Sequence, residues 1–134
     1  MNRLKASFKV NTTQFDIDFT DKICVLYDNS GTGKSYLLKS LRTYAESNNI
    51  KYTFFDYKAD GMAEKEVIER IKGNELVLFN NADLYMTNNI IKAIKQEGVL
   101  AIMELRSVVE FDLRESGYYR VKYEVNNVIT KRLR

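Results

Sequence analysis

Eight residues, "DNSGTGKS" at 28–35, have the types and spacing to do chemistry. Gly31 and Gly33 let a backbone pass close to an anion and turn successive N–H groups toward it. A helix that starts directly afterwards adds partial positive charge at the same point. Lys34 stands at that helix start, where a cation is disfavoured unless an anion is present. The combination predicts a phosphate site. A structural zinc site is excluded, because the chain has one Cys and no His. Cys24 itself lies in the apolar run "ICVLY", which suits a small buried hydrophobe better than a reactive thiol.

Such a loop needs a strand before it and a helix after it. "ICVLY" at 23–27 is a short continuous apolar run, the pattern of a strand covered on both faces. From Lys34 the pattern changes to helical period, with Leu37, Leu38, Leu41 and Ala45 on one face and "SNN" as a stop. Upstream, Leu4, Ala6, Phe8 and Val10 alternate, as do Phe15, Ile17 and Phe19 after the polar break "NTTQ", which predicts a hairpin. Downstream, "YTFFDY", "LVLFN" (76–80) and "VLAIMEL" predict strands. A helix striped by Val67, Ile68 and Ile71 ends at Gly73, and one striped by Ile90, Ile91 and Ile94 ends near Gly98. A stretch with Val108, Val109 and Phe111 is ambiguous, and a last strand alternates through Tyr119, Val121, Tyr123 and Val125. Strands separated by helices require crossover connections, so the expected fold is a three-layer α/β sandwich: a mostly parallel sheet with an antiparallel N-terminal hairpin at one edge.

With these elements in place, the chain resembles a small P-loop NTPase. "SGTGKS" matches the last part of the Walker A pattern G-x-x-x-x-G-K-[ST] at Gly33, Lys34 and Ser35, whereas Asp28 stands where that pattern has Gly. The resemblance implies that Ser30, Gly31, Thr32, Gly33, Lys34, Ser35 and Tyr36 bind nucleotide, that Lys34 reaches the β- and γ-phosphates, and that Ser35 helps hold Mg²⁺. The Asp28 carboxylate either faces the phosphates and repels them or turns away to close the loop on a backbone amide. "LVLFNNAD" resembles the Walker B segment, with Asn80 at the metal-binding Asp position and Asn81 at the position of the Glu that polarises water. Asn keeps the shape of an acid but lacks its charge and cannot act as a base. Asp83 is the nearest substitute carboxylate, or else a solvated loop residue. Strand 99–105 following the Walker B strand resembles the division in which an extra strand separates the P-loop and Walker B strands. Glu104 at its end is then a sensor of the γ-phosphate, a partner of Lys34 without nucleotide, or an exposed strand-end charge. The resemblance covers most of the chain in strand order, yet only "SGTGKS" matches its motif strictly.

Composition fits one domain over residues 1–134, with 45% hydrophobic and 29% charged residues. The chain has no Pro and six Gly, leaving little material for linkers. No apolar stretch approaches the roughly 20 residues of a membrane span, and "MNRLKASFKV" lacks a signal-peptide core, so a cytoplasmic location is expected. The net charge of +3 is too small to argue for nucleic acid and leaves such a partner open. "KRLR" at the C-terminus reads as a solvated tail or a contact to a phosphate backbone. The expected cofactors are ATP and Mg²⁺, adenine being favoured because no guanine-specificity motif is found. The leading expectation is a weak or slow ATPase in which nucleotide biases a conformation or a contact with a protein partner or a second copy. A fold of this kind acting without nucleotide, and a small phosphotransferase using Arg106 or Arg114, are the alternatives.

Overall fold

The computed structural model describes residues 1–27, 33–106 and 113–133. Expectations that fall on Asp28, Ser30, Gly31 and Thr32, or on Val108, Val109 and Phe111, lie outside the described residues.

An eight-stranded mixed sheet organises the α/β fold. Its strands are β1 (Leu4–Val10), β2 (Thr13–Phe19), β3 (Ile23–Leu26), β4 (Tyr52–Phe55), β5 (Leu76–Phe79), β6 (Leu100–Glu104), β7 (Gly117–Glu124) and β8 (Asn127–Arg132). They lie in the order β1-β2-β8-β7-β3-β6-β5-β4. Only β1 with β2 and β7 with β8 pair antiparallel; the other neighbours are parallel. The expected edge hairpin is therefore present, with Val10 opposite Thr13 and Asn11 in the left-handed region at φ 55°. Asn tolerates that conformation better than most residues.

Among the described residues, three α-helices connect the strands. Helix α1 (Lys34–Ser47) follows β3 and starts beyond Gly33, whose φ of 86° suits a residue without a side chain. Helix α2 (Glu64–Ile71) has Glu64 and Glu66 in its first turn, where negative charge is favoured. In α3 (Asn88–Gln96), the Thr87 hydroxyl accepts the Ile90 N–H at 3.1 Å and so satisfies one of the end donors.

Two buried clusters use alternate residues of the same strands. Ile23, Val25, Val77, Phe79, Ala101 and Met103 pack with Val67 and Ile71 of α2 and with Ile90, Ile91 and Ile94 of α3. Cys24, Leu26, Leu76, Leu78, Leu100 and Ile102 pack with Leu37, Leu38, Leu41 and Ala45 of α1. Period-two alternation thus puts α1 on one face and α2 and α3 on the other. The hairpin half curls onto the α1 side, where Phe15, Phe19, Tyr119, Val121 and Val128 join the same core and Phe8 meets Tyr44 with ring centroids 4.6 Å apart. Burial pushes the Cys24 thiol up to about 12, in keeping with a packing role.

One expectation is corrected. The final strand does not run through Val125; the chain turns at 125–126, with Asn126 at φ 59°, and returns as β8 between β7 and β2. Lys131 and Arg132 are strand residues and not a tail. Arg132 makes a two-point ion pair with Asp21 at 2.9 and 3.0 Å, and the Leu133 N–H donates to the Tyr118 carbonyl.

Candidate functional site at the ends of β3, β5 and β6

Adjacent parallel strands end together, so whatever follows them meets on one rim of the sheet. Leu26 pairs with Glu104, and Phe79 pairs with Met103. β3, β5 and β6 therefore end side by side, with Glu104 at the end of β6 next to the end of each neighbour. β6 stands between β3 and β5.

Ser35, in the first turn of α1, donates its hydroxyl to Asn80 Oδ1 at 3.1 Å. These residues are 45 positions apart, and the bond joins the glycine-loop end to the end of β5. Asn80 is nearly buried and is held from a second side: the Tyr85 hydroxyl donates to its carbonyl at 2.7 Å. Burial first, then the charges of Asp56, Glu104 and Asp83, raise Tyr85 far above the ordinary tyrosine value, so it remains a neutral donor.

Asn81 adopts φ 54°, and its backbone N–H donates to Glu104 Oε2 at 3.0 Å. That conformation aims the amide at the neighbouring strand end. Glu104 is only 7% exposed, which removes the reading of it as an exposed strand-end charge. Asp83 lies in the short 3₁₀ turn Ala82–Leu84 and is half-buried, so it is not a freely solvated loop carboxylate.

Lys34 is 7% exposed, and Ser35 is exposed beside it. Gly33 accepts the Leu37 N–H through its carbonyl at 2.8 Å, closing the first turn. Tyr36 points away from Ser35: its hydroxyl donates to Thr13 Oγ1 at 3.1 Å and its ring tilts against Phe15. Its contact is with the curled hairpin, consistent with the change in face expected between consecutive helical residues.

The described arrangement brings together Ser35, Asn80, Asn81 and Glu104, with Lys34 next to Ser35 in the first turn of α1. Neutral oxygens from Ser35 and Asn80 can ligate a cation or bond its water, but they contribute no negative charge. Among the described residues, no group of three or more Asp, Glu, His or Cys is arranged to hold a metal ion. Sequence reasoning missed Tyr85, because nothing in periodicity marks a tyrosine that folds back across a 3₁₀ turn onto its own strand end. It also passed over Tyr123 as a neighbour of Gly33. Compared with protein-family models and with curated proteins, the chain matches none.

Proposed function

We propose that the chain is a P-loop NTPase-like protein that binds ATP with Mg²⁺ through residues 30–36 and hydrolyses it slowly, the bound nucleotide biasing a conformation or a partner contact. The carrying observation is the Ser35–Asn80 hydrogen bond, which joins the Walker A hydroxyl to the Walker B acid position. The place of β6 between β3 and β5, and the start of α1 at the loop, support the same reading.

In this reading the loop amides, the start of α1 and Lys34 hold the phosphates. Ser35 and Asn80 hold the hydrated cation. Asn81 cannot take a proton from water, which leaves Glu104 and Asp83 as the carboxylates near the reaction. General-base catalysis contributes about 10²–10⁴-fold, so its impairment puts turnover well below the common range of roughly 1–10³ per second. Single-turnover hydrolysis with enzyme in excess over labelled ATP tests this: ATP is retained but cleaved slowly. Rapid cleavage abolished by Glu104→Gln would instead make Glu104 an effective base and overturn the slow-hydrolysis assignment.

A second reading, a nucleotide-independent binding module, draws support from the same bond. The Ser35 hydroxyl bonds Asn80 Oδ1 directly, and neither Asn80 nor Asn81 carries a negative charge for a cation.

A further inference from the structure

Beside Gly33, just before α1, stands a tyrosine that is half covered. β7 pairs with β3 as far as Tyr119 opposite Leu26, yet it continues to Glu124, carried by β8 with Tyr123 opposite Val128. The overhang runs past the end of β3 on the side where α1 starts. Tyr119 and Val121 both enter the α1-side core, and two-residue alternation puts Tyr123 on that face. A Cβ built on Gly33 would lie 3.6 Å from Tyr123 Cδ2 and 3.7 Å from its Cβ, so the tyrosine rests against the glycine. Its ring centroid is 6.5 Å from that of Tyr36, and the residue remains 49% exposed.

An aromatic ring that rests against Gly33 at the start of α1 and is open to solvent has the chemistry to take a flat heterocycle. We infer that Tyr123 is the stacking platform for the base of a bound nucleoside triphosphate, an assignment that rests on the proposed function, in which Lys34 and the start of α1 hold its phosphates. Tyr36, which is fastened to Thr13, lies next to the platform with its ring tilted against it. Stacking of this kind tolerates any base, because each base has a π-face, so the platform adds affinity without reading base identity.

Titrating the full chain with Mg-ATP and with Mg-tripolyphosphate separates base from phosphate. Tyr123→Ala is expected to weaken ATP by roughly 5- to 100-fold, the scale of one lost aromatic stack, and to leave tripolyphosphate unchanged. Tyr123→Phe is expected to bind ATP as the wild type does. Unchanged ATP affinity in Tyr123→Ala would overturn the platform while leaving the phosphate site intact. An equal loss of both ligands would make Tyr123 a support for Gly33 and also overturn the platform. Failure of the wild type to bind either ligand would overturn the platform and the phosphate reading together.

Discussion

At the scale of single residues, Asn81 sets a limit on what the site can regain. Its left-handed backbone directs the N–H onto Glu104, and Asn accepts that conformation where most side chains do not. Asn81→Ala is expected to cost about 1–2 kcal/mol in chemical unfolding, whereas Asn81→Gly should be close to neutral. Asn80→Asp adds charge at the atom that accepts from Ser35, so it should strengthen the dependence of ATP binding on Mg²⁺, measured by titration with and without the cation. Adding Asn81→Glu to it should raise hydrolysis, at the expense of backbone strain and of a second carboxylate near Glu104. Lys34 and Ser35 were legible in the sequence because the motif is local, and Asn80 and Asn81 because they end an apolar run. The Asn81–Glu104 bond and the return of Tyr85 onto Asn80 were not, since neither leaves a periodic trace.

At the scale of elements, hydrophobic period located β1 to β7 and α1 to α3, while β8 escaped. Of its six residues only Val128 is buried, so the segment has no apolar stripe and carries a basic end that mimics a tail. Its place is secured by chemistry remote in sequence. Arg132 pairs with Asp21, the Tyr119 hydroxyl donates to the same carboxylate at 2.6 Å, and the Thr20 N–H donates to that hydroxyl. The Arg132 guanidinium, and then the Tyr119 hydroxyl, hold the Asp21 carboxyl below the usual carboxylate range. A carboxyl with a depressed folded-state value contributes stability that is present above its unfolded value of about 3.9 and disappears as pH falls through the folded one. Asp21→Asn should accordingly flatten the acid limb of the stability profile below about pH 4, as measured by urea unfolding across pH. Gly117 belongs to the same device, for a Cβ there would lie 1.9 Å from Asp21 Oδ2. Gly117→Ala is expected to destabilise the fold by about 1–3 kcal/mol through that collision, with loss of the ion pair adding to it.

At the scale of the whole molecule, two cores divide the labour. The cluster under α2 and α3 fixes β5 and β6, and the cluster around α1 ties the curled hairpin half to the helix that begins at the proposed site. A ligand held at that junction binds the folded chain and not the unfolded one. At about 100 times its dissociation constant it adds roughly 2.7 kcal/mol of stability, which for a chain of this size raises the melting temperature by roughly 5–10 °C. Among the described residues no helix is long and apolar enough to cross a membrane. The most direct measurement is thermal unfolding of wild type and Lys34→Ala with and without Mg-ATP. Phosphate binding at Lys34 and the start of α1 predicts a rise of several degrees in the wild type that is lost in Lys34→Ala. The absence of any rise in the wild type, or an equal rise in both proteins, would contradict it.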